Sequence, residues 1–166
     1  MRVIEGMLGR PPPENFLRDL QARTFAAFKT ELRAMPGIQQ VLDALDAARV
    51  PFCVASSGDH AKMNTTLGLT GLLPRFAGRI FSVTQVARGK PAPDVYLEAC
   101  RRLGVAPARA AAVEDSHAGI GSAKAAGMRV VAVPNPSYPP GEEALAGADL
   151  VIDSLAKLTP EAVEGS

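Results

Sequence analysis

The chain has 166 residues, of which 47% are hydrophobic, and this is enough for one domain with a substantial core. Its 18 basic and 17 acidic residues give a net charge of +1, which argues against a general binding surface for nucleic acid or an anionic membrane. No apolar run approaches the roughly 20 residues that cross a bilayer, and the first residues lack the apolar region of a signal peptide. Cys53 and Cys100 lie in apolar segments without metal-ligand spacing, which favours buried free thiols in a reducing compartment. We therefore expect a cytoplasmic protein that binds neither nucleic acid nor membrane.

The first half of the chain predicts two helices and a buried strand. Apolar side chains recur every three or four residues over 14–34, which is typical of an amphipathic helix, and Pro36 and Gly37 end this pattern. A second helix pattern begins at Ile38. After Pro51, the short run FCVAS predicts a strand covered on both faces, as in a parallel sheet. The loop that follows leads into another helix, with Ser57 or Asp59 as its candidate cap.

The second half of the chain alternates between strand and helix patterns. The segment KPAPDVYLEACRRLG predicts a helix that Gly104 closes, and 134–148 is the most loop-like stretch, expected at the surface. Strands are predicted by the apolar runs at 79–83, 110–114, 129–134 and 149–153. Repeats of strand and helix indicate an α/β fold with a parallel sheet and helices on both of its faces.

Polar residues that could carry chemistry follow the predicted strands. In sheets of this type, ligands bind outside the carboxyl ends of the strands. Ser56, Ser57 and Gly58 follow the first strand, and their hydroxyls and amides suit a phosphate. The alternative is a helix cap that only satisfies backbone amides. Lys90 follows the second strand and could neutralise phosphate charge, although most lysines are solvated at the surface.

Two adjacent carboxylates, Glu114 and Asp115, follow the third strand. At a turn from strand to loop both can converge on one point, and carboxylate oxygens suit Mg²⁺. The alternative is that Asp115 or Ser116 caps a helix while Glu114 is merely solvated. Phosphate donors, a cation and a metal site in succession are the parts that phosphoryl transfer needs.

These three motifs, in this order, resemble those of the haloacid dehalogenase superfamily, in particular its phosphatase-like members related to phosphoglycolate phosphatase and β-phosphoglucomutase. CVASSG resembles the second motif of the family, with Ser56 as the phosphate-binding hydroxyl. RGKPAPDVY resembles the third motif, with Lys90, and VEDSHAGIGSAKAAGM resembles the fourth, with Glu114 and Asp115 as metal ligands. The resemblance thus implies that Ser56 and Lys90 are catalytic side chains and that both contact phosphate.

The resemblance also implies a fold and a reaction. The fold is a Rossmann-like core over 36–166 that lacks its first central strand, with a partial helical cap over 1–35. The reaction is Mg²⁺-dependent hydrolysis of small phosphate esters, such as sugar phosphates, through a covalent aspartyl-phosphate. A phosphomutase of the same family is the alternative within the enzyme class. Arg10 lies in a segment similar to the substrate-selecting loop of the cap and could reach a substrate anion, although a lone arginine is more often simply exposed.

One part of the family pattern does not occur in the sequence. The first motif, an Asp-x-Asp pair that supplies the nucleophile and the general acid/base, is found nowhere in the chain. In the family its strand lies between those that carry the second and fourth motifs, so we expect either a gap or a new pairing there. We hypothesise a truncated phosphatase. The alternative is a non-catalytic phosphate-binding module that self-associates, or pairs with another chain, through exposed strand edges.

Overall fold

A computed structural model describes residues 2–164 of the chain. The chain divides into two compact units, one within Met1–Arg33 and the other within Ala34–Ser166. In the first unit, α1 (Arg2–Leu8) precedes α2 (Phe16–Glu31), which confirms the amphipathic helix predicted there. In the second unit, strands and helices alternate as predicted. Within residues 2–164, no helix combines the length and the apolar character needed to cross a membrane.

The strands of the second unit fall where the apolar runs predict them. In the described part of the chain, β1 to β5 are Val54–Ser56, Ile80–Ser82, Ala111–Glu114, Arg129–Ala132 and Leu150–Val151. The helices α3 to α8 are Ile38–Ala47, His60–Leu69, Asp94–Leu103, His117–Ala125, Glu142–Ala146 and Pro160–Glu164. Short 3-10 helices lie at Leu73–Phe76, Val83–Gln85, Pro107–Arg109 and Leu155–Lys157. Each strand is shorter than the apolar run that predicts it.

The stretch over 134–148 is irregular as far as Gly141 and mostly at the surface, as predicted, but it also contains the short helix α7. Glu142 and Glu143 stand in the first turn of this helix, where the positive end of the helix dipole favours carboxylates. Ala144 is buried in the core cluster that α5 and α6 also join. Tertiary packing thus gives the segment a helix that its proline and glycine content conceals.

The parallel sheet is divided into two parts. β1 pairs with β2, whereas β4 pairs with β3 on one side and with β5 on the other, and every pairing is parallel. Among the described residues, β1 and β3 each have a strand partner on one side only. At the position of the strand that carries the first motif in the family, we expected either a gap or a new pairing. The structure has a gap between β1 and β3.

Helices cover both faces of the larger sheet, as predicted for a doubly covered parallel sheet. Val130 and Val131 are neighbours on β4 and have no exposed surface, yet they belong to different hydrophobic clusters. Successive side chains of a strand point to opposite faces, so each valine packs against a different layer of helices. Burying a valine side chain contributes roughly 1.5–3 kcal/mol, which explains the continuous apolar run in this strand.

Candidate active site

Lys90 lies in the segment between β2 and α5, and its ammonium is buried at the ends of two strands. The Lys90 Nζ donates to the Ala55 carbonyl of β1 at 3.1 Å and to the Tyr96 hydroxyl at 3.1 Å, and it forms an ion pair with Glu114. Its side chain is only 7% exposed. The surface-lysine alternative is therefore wrong, because three hydrogen-bond acceptors compensate the burial of this charge.

Glu114 is the last residue of β3, and it is 8% exposed. Its Oε1 accepts hydrogen bonds from Lys90 and Tyr96. Its Oε2 accepts from the Asp115 amide and from the Ser116 hydroxyl, each at 3.3 Å. The alternative of a solvated Glu114 is therefore wrong, since the carboxylate has donors on both oxygens and a lysine beside it.

The start of α6 lies directly beside this carboxylate. Ser116 caps the helix, because its hydroxyl accepts from the Gly119 amide at 3.1 Å. Gly119 faces Glu114 so closely that a Cβ at this position would overlap the carboxylate. Asp115 does not cap the helix: its side chain is exposed and accepts no hydrogen bond within the described residues. Of the two acids, Asp115 is thus the one with available oxygens.

The end of β1 forms a second group of donors. Gly58 N donates to Ser56 Oγ at 3.0 Å, so the Ser56 hydroxyl keeps its own proton for another acceptor. The Gly58 carbonyl accepts from the buried Ser82 hydroxyl at 2.8 Å, which ties this loop to the end of β2. Asp59, rather than Ser57, caps α4, and Ser57 is exposed. The capping alternative therefore does not account for Ser56, Ser57 and Gly58.

A cavity of about 1170 Å³ lies along the gap in the sheet, and β1, β3 and α5 contribute to its lining. Cys53 and Cys100 are among the lining residues, and both are free thiols, as predicted; Cys100 is buried as expected, whereas Cys53 is only partly buried. Burial raises the pKa of Cys53 to about 11, with a smaller contribution from Cys100. Tyr96 also lines the cavity, which therefore extends to the neighbourhood of Lys90.

The unpaired edges of β1 and β3 face this cavity. Val54 N donates to the Arg79 carbonyl at 3.0 Å, on the side of β2. The backbone groups of successive residues point to opposite edges of a strand, so the N–H and C=O of Ala55 point away from β2. Lys90 Nζ donates its hydrogen bond to this Ala55 carbonyl. On β3, the Glu114 carbonyl accepts from Val133 N at 2.8 Å, on the side of β4.

The oxygen atoms that the site offers to Mg²⁺ belong to the carboxylates of Glu114 and Asp115. Within residues 2–164, no group of three or more His, Cys, Asp or Glu side chains lies close enough to hold a metal. Mg²⁺ needs fewer protein ligands than that, since it usually binds one or two carboxylates and completes its shell with water and phosphate. Asp115 fits such a role directly. Glu114 fits it only if it releases one of its present donors.

The structure brings some of the predicted residues together. Lys90 and Glu114 are in contact, and Lys90 reaches the residue that precedes Ser56. Arg10 belongs to the first unit and is exposed, so its role stays a prediction. Sequence reasoning missed Tyr96, whose hydroxyl lies between Lys90 and Glu114. The available signal was a tyrosine on the apolar face of a helix, because a buried phenol needs a hydrogen-bond partner.

A model of the haloacid dehalogenase-like hydrolase family matches residues 1–127. The chain belongs to this family. Protein CbbY of Rhodobacter capsulatus is 38% identical over 133 residues, which cover 78% of this chain and 57% of that protein. Hexitol phosphatase A of Escherichia coli is 37% identical over 135 residues, with coverages of 80% and 60%. The chain thus spans less than two thirds of the length of these curated relatives.

The solved structures agree with the family and the fold. CbbY of Rhodobacter sphaeroides, solved in complex with xylulose-(1,5)bisphosphate, has a TM-score of 0.80 and 28% identity to this chain. The match covers 94% of this chain and 71% of that structure. The predicted Rossmann-like α/β fold is confirmed, although its sheet is divided at β1 and β3.

Proposed function

We propose that this chain carries the phosphate-binding and metal-binding residues of a phosphatase that acts on small phosphate esters such as sugar phosphates. The observation that carries the proposal is the buried pair of Lys90 and Glu114, which joins the carboxyl ends of β1 and β3. An ammonium held at this edge of a parallel sheet suits an anionic ligand. The names of relatives support the class of substrate, since one is a hexitol phosphatase and another was solved with a sugar bisphosphate.

Each polar residue then has a distinct role. Ser56 donates its hydroxyl proton to a phosphate oxygen, and the amides of Ser57 and Gly58 lie beside it in the chain. Lys90 turns one of its donors from its present partners to the phosphate and neutralises its charge. Asp115 holds Mg²⁺, with Glu114 as the second carboxylate. When bound, Mg²⁺ supplies positive charge that stabilises the phosphoryl oxygens in the transition state.

The reaction also needs a carboxylate nucleophile, which no Asp-x-Asp pair provides within the 166 residues. We propose that it comes from a strand that occupies the cavity between β1 and β3. The free edge of each strand and the apolar lining of the cavity support this position. Without such a strand, the chain would act as a phosphate-binding module, which is the second candidate function, and the free edges of β1 and β3 would allow it to pair with another chain.

Hydrolysis of an aryl phosphate tests the proposal. The purified chain is assayed with Mg²⁺ alone, with an apolar peptide that ends in Asp-x-Asp, and with a matched peptide that ends in Asn-x-Asn. We expect turnover only with the first peptide, and loss of that turnover in Lys90→Met. Hydrolysis by the chain alone that disappears in Asp115→Asn would contradict the need for a strand. A search of the DNA upstream of the Met1 codon for an in-frame strand ending in Asp-x-Asp would identify the segment.

Product analysis separates the phosphatase from the phosphomutase alternative. The same phosphate donors and metal ligands would serve both reactions, because both pass through phosphoryl transfer to a carboxylate. A hydrolase releases inorganic phosphate from a sugar phosphate, whereas a mutase returns an isomeric sugar phosphate. Release of stoichiometric phosphate is the result expected here.

A further inference from the structure

Tyr96 occupies a central place in the site, although no sequence motif assigned it a role. It stands in the first turn of α5 and is 6% exposed. Its hydroxyl accepts from Lys90 Nζ at 3.1 Å and donates to Glu114 Oε1. Its ring also lies under the ammonium, with Nζ 4.5 Å from the ring centroid. The side chain therefore contacts the lysine through both its ring and its hydroxyl.

The ammonium of Lys90 is fully occupied in this arrangement. An ammonium has three N–H donors, and those of Lys90 have three acceptors: the Ala55 carbonyl, the Tyr96 hydroxyl and the Glu114 carboxylate. A phosphate can therefore bind Lys90 only if one of these acceptors is released. Whichever acceptor is released must keep a partner of its own, because an unsatisfied buried group is costly.

The Tyr96 hydroxyl can provide the partner that a released acceptor needs, whereas a phenyl ring without a hydroxyl cannot. A phenol can accept one hydrogen bond and donate another at the same time. When Lys90 turns a donor to an anion, the Tyr96 hydroxyl still donates to Glu114, so the buried carboxylate keeps a hydrogen bond. The cation–π contact keeps the ammonium near the ring during this exchange.

We propose that Tyr96 is a positioning residue: its hydroxyl holds the Lys90 ammonium against Glu114 and keeps Glu114 hydrogen-bonded when Lys90 turns to a phosphate. The second part rests on the proposed function, whereas the first part concerns the chain without ligand. The variant Tyr96→Phe tests both, because it removes the hydroxyl and keeps the ring. Tyr138→Phe is the matched control, since the chain has only two tyrosines and Tyr138 is 83% exposed.

The first measurement uses ¹⁵N-edited NMR of lysine ammonium groups in the full 166-residue chain. The buried Lys90 ammonium should give a protected signal, assigned by its loss in Lys90→Met. In Tyr96→Phe we expect its protons to exchange with water about three- to tenfold faster, as the loss of one hydrogen bond implies, and in Tyr138→Phe no change. An unchanged signal in Tyr96→Phe would overturn the proposal. If that variant does not fold, the wild-type chain provides the test: cross-relaxation between the Lys90 ammonium and the Tyr96 ring is expected, and its absence would overturn the proposal.

The second measurement is the affinity for inorganic phosphate in the presence of Mg²⁺, by titration calorimetry. We expect Tyr96→Phe to weaken binding about three- to tenfold and Tyr138→Phe to leave it unchanged. A change in stability and in the ammonium signal with equal phosphate affinity would show a purely structural role and overturn the second part. If the wild-type chain binds no phosphate, the proposed function fails, and the ammonium signal still decides whether Tyr96 positions Lys90.

Discussion

Gly119→Ala should destabilise the protein, although glycine-to-alanine changes inside helices are usually favourable. Alanine is preferred over glycine by about 1 kcal/mol at an interior helical position. Gly119 is the third residue of α6, and a Cβ there would overlap the Glu114 carboxylate. The carboxylate is the end of a flexible side chain, so it can move, but only by leaving Lys90 and Tyr96. The substitution therefore acts on the buried pair rather than on the helix.

The magnitude follows from these opposing contributions. Breaking a buried ion pair while its partner stays buried costs about 3–5 kcal/mol. The helical preference for alanine offsets at most about 1 kcal/mol of this cost, because Gly119 lies in the first turn of α6. We expect the free energy of unfolding to fall by about 2–4 kcal/mol, a large part of the total stability of an ordinary domain.

Urea denaturation followed by far-ultraviolet circular dichroism measures this change, since the chain has no tryptophan. Gly121→Ala is the matched control in the same helix: Gly121 is exposed, and the nearest heavy atom to its added Cβ is Pro91 Cβ at 3.7 Å, an ordinary contact. That variant should be about 0.5–1 kcal/mol more stable than the wild type.

Repeating Gly119→Ala in a background without the buried pair shows whether Glu114 is the cause. In a Lys90→Met/Glu114→Ala background there is no carboxylate to displace, so Gly119→Ala should be neutral or slightly stabilising. If Gly119→Ala destabilises the wild type and the Lys90→Met/Glu114→Ala variant equally, the cause is not an overlap with Glu114. A Gly119→Ala variant as stable as Gly121→Ala would refute the close packing of α6 against Glu114.

Three further predictions concern the same region. Lys90→Met leaves the Glu114 carboxylate buried without a cation and should lower the free energy of unfolding by about 3 kcal/mol in urea, with partial recovery in Lys90→Met/Glu114→Gln. Burial raises the Cys53 pKa to about 11 in the folded chain, so the thiol favours folding below the unfolded value near 9 and this contribution is lost as pH rises from 9 to 11. The loss is at most about 3 kcal/mol, and urea midpoints at pH 8 and 10.5 should differ less in Cys53→Ala than in the wild type. Asp115→Asn should weaken Mg²⁺ binding about tenfold by calorimetry and change stability by less than about 0.5 kcal/mol, because the side chain is exposed.

Local patterns were sufficient to predict the strands and most helices. The run around Val130 and Val131 predicts a strand covered on both faces, because only such a strand tolerates adjacent large apolar residues. Ser56 and Glu114 were predicted at strand ends because each of them follows an apolar run, and each is the last residue of its strand in the structure. These features depend on neighbours in the sequence, which is why the pattern is informative.

Burial of charged groups depends on residues far apart in the chain, and sequence patterns do not contain it. Lys90 and Glu114 are 24 positions apart, and the Tyr96 hydroxyl is hydrogen-bonded to both of them. By sequence pattern alone, the buried Lys90 cannot be distinguished from a lysine that is solvated at the surface. The divided sheet was expected only through the family resemblance, because β1 and β3 are normal strands by composition.

The gap in the sheet and the state of Lys90 are linked through the Ala55 carbonyl. This carbonyl lies on the free edge of β1, and Lys90 now provides its hydrogen bond. A strand paired with that edge would donate a backbone N–H to the same carbonyl. Lys90 would then regain one donor without any loss to Glu114 or Tyr96. Occupation of the cavity and release of a lysine donor for phosphate are therefore coupled by one acceptor, because Lys90 stays bonded to the backbone of β1 as long as no strand pairs with that edge.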